Sequence, residues 1–569
     1  MSGKRDRATK RDVRMAAKTA TPLPLISNYS NDAGQGSGTF AVDLGLTWRR
    51  ALLGGVAVGA MWTVAPKGAL ASATCGNGTG TATYDASTHT LTCSGNESPG
   101  VIVNSPANLV VKDLDRDIAP TTPGAAGISF HPFGTDANLN SALGTFKIIT
   151  TTDNTDGISA SSFGGNVTVF STGDISVANF AAGIRAAATA GATTVTSNGN
   201  ITGGTGSSGI VATTTNGFKG AGGSDTVTST GNITLTGDND VEGHNAGIFA
   251  KGGLPITVTS TGDISTTGNN RDGIYVKSDS SDGCGFDCIV APAAPTVVTS
   301  TGNISTTGNS ASAINASVND GDLNVTSTGD LKTKGDSSPA IRAYSYNGST
   351  TVTSTGKIAT EGNGATGIDA GSGYGGVTVT STGDISTKGD NARGIFARGH
   401  REDSGNGEAV VITSKGNIST LGKNSDGIRA ENGDGAVTVS SKGNISTGTN
   451  SSGITVGGGK SRGSNRDVTI TSTGDIKLAG GDDTHGRNYG RAGIFARGRA
   501  VNITSTGDIS TTGRERGGIV AYAYSNPCGS DDSGCAPLQS ASAIVTSTGN
   551  ITTTGNYARG SWLATETVT

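Results

Sequence analysis

The chain has 569 residues, of which 92 are Gly, 4% are aromatic and 15% are charged. This composition excludes an ordinary globular enzyme core, which needs more large apolar side chains, and a disordered chain, which carries more charge. The net charge is −4 and the sequence pI is about 5.8. With no basic run in the mature region, nucleic-acid binding is disfavoured.

Residues 1–73 read as an extended N-terminal region ending in an export signal. Arg49-Arg50 precedes an apolar stretch from Ala51 to Ala65, and Ala69-Leu70-Ala71 and Ala71-Ser72-Ala73 follow. These are the basic flank, apolar core and small-residue cleavage site of a secretory signal, with cleavage expected after Ala73. The stretch is too short for a membrane span. The segment before Arg49 is long and begins with a basic stretch from Lys4 to Lys18. A start at Met15 and an extended signal that routes export both account for it.

Residues 74–141 are less regular and are expected to cap the first coil, shielding an open strand edge. Residues 142–569 then carry a repeat. The phrase Val/Ile-Thr-Ser-x-Gly-Asp/Asn-Ile recurs thirteen times, as in Val258-Thr259-Ser260-Thr261-Gly262-Asp263-Ile264. Its first and last apolar residues are always six apart. A second anchor, usually in Gly-Ile-x-Ala, follows ten residues later, as from Ile264 to Ile274 or Ile358 to Ile368. A step of eleven returns to the next phrase, as from Ile428 to Val439, so the minimal unit is 27 residues. This period lies in the range of solenoids.

Each unit holds three short segments in which apolar and polar residues alternate between Gly, Asn or Asp turns, the pattern of strands with one buried face. In Gly247-Ile248-Phe249-Ala250-Lys251, Ile248 and Ala250 are expected to point inward and Phe249 and Lys251 outward. Three strands per coil predict an all-β fold, a right-handed parallel β-helix. Ile175, Ile201, Ile233, Ile264 and Ile304 should stack in one buried row, and Ile248, Ile274, Ile314, Ile341 and Ile368 in another. The Asp/Asn before the first Ile is present in twelve of the thirteen phrases, Lys357 being the exception. These side chains can bond their own turn and stack as a polar row. Insertions such as 277–296, 479–491 and 523–542 fall outside the six-residue step, at corners. At the end of the chain, Ser561 stands where Ile is expected, and Val568-Thr569 opens another phrase. This reads as truncation.

Six cysteines form three close pairs, Cys75 with Cys93, Cys284 with Cys288, and Cys528 with Cys535. Beside an export signal these are candidate disulfides. A metal at Cys284-x3-Cys288 would need a second ligand pair nearby, so no metal or other cofactor is expected.

No catalytic constellation emerges. His89, His131, His244, His400 and His485 lie in no motif with a nucleophile or metal partner. The Asp-Ser-Gly triplets at 403–405 and 532–534 lack the preceding Gly of a serine-protease motif, and no non-repetitive stretch would hold a triad. The chain is read as a non-enzyme. The noticeable feature is a pairing on the third strand of the unit: Phe249 with Lys251, Tyr275 with Lys277, Phe396 with Arg398, and Phe495 with Arg497. Outward aromatics beside cations suit sugar stacking or contact with anionic glycans. Shape-filling along a wall partly covered by corner loops gives the same placement.

The phrase Ser-Thr-Gly-Asp-Ile-Ser-Thr-Thr-Gly-x-x-x-x-Gly-Ile-x-Ala, a signal and sparse, close cysteine pairs resemble passenger regions of bacterial autotransporters over about residues 142–560. The resemblance implies export through the periplasm to the cell surface or medium by way of an outer-membrane translocator barrel. No series of alternating membrane strands is present in this sequence, so the barrel is either lost from it or supplied by another protein. The implied function is adhesion or surface interaction with a host-cell or matrix glycan or protein, or with neighbouring bacterial cells. A β-helical polysaccharide lyase or hydrolase is the alternative, and a structural stalk for a missing C-terminal domain is a second.

Overall fold

Thr, Ser and Val dominate the first segment of every unit, and branched or short side chains favour extended backbone over helix. The computed structural model describes residues 74–566 apart from residues 77, 216–222, 239–244, 254, 279–293, 400–406, 434, 458–466, 481–490 and 525–540. The export region with Ala73, the cysteines Cys284, Cys288, Cys528 and Cys535, and the body of each large insertion lie outside the described residues. Within them the chain is all-β, a parallel β-helix with three walls.

One coil shows the plan: Ile256–Ser260 in the first wall, Ile264–Thr266 in the second and Arg271–Ser278 in the third, before Thr296–Ser300 returns to the first. Among the described residues the walls contain 17, 14 and 16 strands. Residues of the repeat stack in register, as in Val325 on Val352 on Val379. Both expected rows are present: Ile264 pairs with Ile233 and Ile304, and Ile274 with Ile248 and Ile314. All of these isoleucines are buried in one continuous core.

In the stretch expected to cap the helix, one element departs from parallel pairing, the antiparallel hairpin of Thr81–Asp85 with Thr90–Gly95. From Thr90 onward the chain already joins the walls. Thr90–Gly95, Asn108–Leu114 and Ala137–Ala142 enter the first, and Val101–Val103 and Ile128–Phe130 the third. The Cys75–Cys93 disulfide ties the segment before the hairpin to its second strand, with an S–S distance of 2.04 Å. At the other end Ser561 keeps register with Ile519.

The Asp/Asn row works between coils rather than within its own turn. Asp174 Oδ1 accepts from the backbone N–H of Asn200 at 3.0 Å, Asn200 Oδ1 from Asn232 at 3.0 Å, and Asn232 Oδ1 from Asp263 at 2.8 Å. The chain of bonds continues to Asn550, which donates to Asp508 at 2.8 Å. It breaks at one place: Lys357 donates to Asp330 at 2.8 Å, but its side chain offers Asp384 no acceptor. A second ladder runs along the next corner, from Asn269 through Asn309, Asp336, Asn363 and Asp390 to Lys423. That corner also needs one residue per coil with positive φ, met by Asn270, Ser310, Ser337, Gly364, Asn391 and Asn424. Asn and Gly tolerate this conformation best.

The glycine of Ser-x-Gly-Asp is required by contact. A Cβ on Gly356 would lie 2.1 Å from the carbonyl oxygen of Gly329, and one on Gly329 would lie 2.1 Å from that of Gly302. The glycine before the third-wall Ile is crowded too, with a Cβ on Gly394 lying 2.5 Å from Ile418 Cγ2. Two coils carry Ala313 and Ala340 at that place.

These contacts set two expected outcomes. Gly356→Ala should destabilise the chain by about 2 kcal/mol or more, because backbone cannot retreat on both sides. Lys357→Asn should stabilise it by up to about 1 kcal/mol by completing the ladder. Urea midpoints followed by circular dichroism check both.

Asp225 sets a third. It is buried, accepts from Thr214 Oγ1, and its other oxygen has no partner. Burial pushes its carboxyl up to about 7, against the opposing pull of the Thr214 and Thr193 hydroxyls. Its unfolded value is about 3.9. Between the two values the folded chain binds more protons than the unfolded one, so stability falls as pH rises through this window. Asp225→Asn should flatten that fall, raising the urea midpoint above the window and changing it little below.

Candidate functional site

The outward residues of the first two walls are mostly Thr and Ser, with Phe170, Val411, Lys332 and Lys477 among the exceptions. Thr351, Thr353, Thr378 and Thr380 typify the first wall, and Ser265, Ser305, Ser386 and Ser419 the second. The third wall is different. Its first outward position reads, coil by coil, Arg185, Val211, Phe249, Tyr275, Asn315, Arg342, Asp369, Phe396, Arg429, Thr455, Phe495, Val520 and Trp562. Chemical variety is concentrated on this face.

The eight residues expected to form a contact surface divide into two patches. Phe249 and Tyr275 stack at 5.1 Å between ring centroids, and Lys251 aligns with Lys277 in the same two coils. Stacking covers Tyr275, which is 8% exposed, so the outward direction expected for it does not leave it open to solvent. Phe396 and Arg398 lie further along, with the Arg398 guanidinium 4.8 Å from the Phe396 centroid. Arg398 also reaches Asp369 at 3.0 Å. Phe495 packs near Tyr522 at 5.8 Å, while Arg497 turns to the ring of Tyr524 at 4.9 Å. Phe495 and Arg497 both lie on the outward side of their strand, and each also meets an aromatic ring of the following coil.

Between Phe396 and Phe495 lies a cleft of about 430 Å³. It is built from three columns over four coils. Asn391, Asn424 and Asn450 line the corner, and Arg393, Asp426 and Ser452 stand just before the Gly-Ile strands. Arg429, Thr455 and Phe495 line the strand face, and Arg491 closes the cleft beside Phe495. The coil in the middle of the cleft has one short step and small side chains. Ile445 to Ile454 spans nine residues rather than ten, and its third strand is Ile454–Val456 with Ser452, Thr455 and Gly457 around it.

The charges are ordered. Arg429 contacts Glu431 at 2.6 Å and Asp426 at 3.5 Å. Asp426 accepts from the Ser452 N–H at 2.8 Å. Burial pushes the Asp426 carboxyl up, while the Ser452 N–H and then Arg429 and Arg393 pull it back. The Arg393 guanidinium lies 4.5 Å from the Phe396 centroid, and its buried Nε has no hydrogen-bond partner. Burial first, and Arg429 second, hold the Arg393 pKa below the usual guanidinium range. Arg491 donates to Asn424 Oδ1 at 3.5 Å. Among the described lining residues there are thus three guanidiniums and one carboxylate, with Glu431 paired to Arg429 beside them. Arg393, Asp426 and Arg491 were missed in the sequence because they precede the Gly-Ile anchor. Aligning Asn-Ala-Arg-Gly-Ile-Phe, Asn-Ser-Asp-Gly-Ile-Arg and Asn-Ser-Ser-Gly-Ile-Thr would have placed the first two in one column.

Among the described residues no group of His, Cys, Asp and Glu is arranged to hold a metal ion. Comparison with family models, curated proteins and solved structures finds no match to this chain.

Arg429→Gln should raise the Asp426 pKa further, because it removes a cation beside a buried carboxylate. Carboxyl carbon chemical shifts followed by NMR against pH provide the measurement.

Proposed function

We propose that this chain is an exported β-helix that acts as a surface-interaction protein, with the third wall as its binding face. The carrying observation is the contrast between walls: two present mostly Thr and Ser, and one displays aromatic rings and guanidiniums in register. A scaffold needs all three walls alike, whereas recognition needs one that differs. Coil stacking turns single side chains into rows, and weak contacts along such rows add by multivalency. The chemistry of the rows suits glycans, as rings offer stacking faces and arginines offer donors to acidic groups.

The Cys75–Cys93 disulfide fits an oxidising compartment. Together with the signal-like N-terminus, it supports export to the cell surface or medium, in the manner of autotransporter passengers. Partners on this reading are host-cell or matrix glycans or proteins, or neighbouring bacterial cells. Binding is favoured over hydrolysis because glycoside cleavage uses two carboxyl groups flanking the bond. Among the described residues the cleft lining carries one, Asp426, already held by Ser452 and Arg429.

The test is adhesion of the purified chain to immobilised glycans, matrix proteins and whole cells. A Phe249→Ala, Phe396→Ala, Phe495→Ala variant should lose most of the signal, and Thr351→Ser on the first wall should lose none. Equal loss from both variants, or release of new reducing ends from any bound polysaccharide, would refute the reading.

A further inference from the structure

The cleft between Phe396 and Phe495 is locally cationic in a chain of net charge −4. General electrostatic attraction of polyanions therefore does not account for it; the charge is placed. Its arginines differ in engagement. Arg429 is committed to Glu431 and Asp426, whereas Arg393 has a ring on one side and no acceptor at its buried Nε. A guanidinium presents five donors in a planar fork, and such a fork is matched best by a planar oxyanion. The cation–π contact fixes the plane of Arg393 without using its donors.

The remaining walls of the notch fit a sugar ring. Phe495 leans over Gly457, its Cε1 lying 3.7 Å from where a Cβ would stand. At Gly457 the ring meets no side chain. Asn391, Asn424 and Asn450 set one amide per coil along the rim, each able both to donate and to accept. A hydroxyl-rich ligand uses both functions, whereas an acyl chain uses neither. The volume, about 430 Å³, lies within the usual range of small-ligand sites.

We propose that this notch is a subsite for one hexuronate residue of an acidic polysaccharide. Arg393, with Arg491 opposite, receives the carboxylate; Phe495 carries the apolar face of the pyranose; and the corner asparagines bond its hydroxyls. Arg429 positions Asp426 and keeps the floor of the notch ordered. The inference rests on the reading of the third wall as a binding face, and narrows it to a ligand class and a place.

The test titrates the full chain with tri-galacturonate by calorimetry and by NMR, with its fully methyl-esterified form and dextran sulfate as comparison ligands. Tri-galacturonate should bind, and esterification should weaken it by about tenfold or more, as losing a charge-assisted pair does. Arg393→Gln and Phe495→Ala should each cause a loss of similar size, while Thr351→Ser on the first wall causes none. Thr455→Trp fills the notch while leaving all three arginines in the sequence and should also abolish binding, which guards against misfolding of the arginine variant. Equal affinity for the esterified ligand, or dextran sulfate binding as tightly and indifferent to Arg393→Gln, would overturn the subsite. Absence of tri-galacturonate binding by a chain that still adheres to cells would overturn the subsite alone. Absence of both would remove the binding-face reading as well.

Discussion

Close approach of successive coils is the constraint on which the rest depends. Parallel strands stacked at the spacing of a β-ladder, about 4.8 Å, bring the corner backbones into direct contact. Gly302, Gly329 and Gly356 each face the carbonyl of the preceding glycine at a distance no Cβ could share. The same spacing lets one side-chain oxygen reach the N–H of the next coil, and so makes the Asp/Asn ladder possible. High glycine content and a polar corner are therefore two results of one geometry. Neither would serve a helix bundle or a globular core.

Stacking also shapes how the protein tolerates departures from its repeat. Arg271 stands buried at a place where most other coils have Ala or Ser, and where Asn245, Arg491 and Arg516 also stand. It is accommodated because its Nη1 donates to the carbonyls of Thr236, Gly237 and Thr267, and its Nη2 to Gly204, tying together three coils. A buried charge is costly unless its donors are satisfied, and corner carbonyls supply the acceptors. Arg393, one residue further along the unit, meets the Phe396 ring rather than a set of corner carbonyls. The difference marks the first as structural and the second as available to a ligand.

Much of the fold is legible in the chain before any coordinates. The fixed step from Val258 to Ile264 and on to Ile274 reports three strands and their inward residues, because strand alternation and stacking leave few other ways to bury those positions. The polar row was visible too, but not its bonding. A ladder between Asn200 and Asn232 cannot be told from a bond within one turn without knowing what lies above. The contact surface was half legible. Alternation places Phe396 and Phe495 outward, yet it does not show that Tyr275 is covered by Phe249, or that Arg497 turns to Tyr524.

The sequence by itself determined the coil: its length, its three strands, its buried rows and the corners where glycine and Asp/Asn must stand. Those are consequences of local period and of repetition, which a single chain displays in full. Only the tertiary structure decided the cleft. It is formed by residues from four coils, separated by up to a hundred positions between Asn391 and Arg491, and by the small side chains of the coil between Arg429 and Phe495. Its charge balance depends on which arginine finds a carboxylate and which does not. That outcome is set by distances across coils, and no period along the chain encodes it.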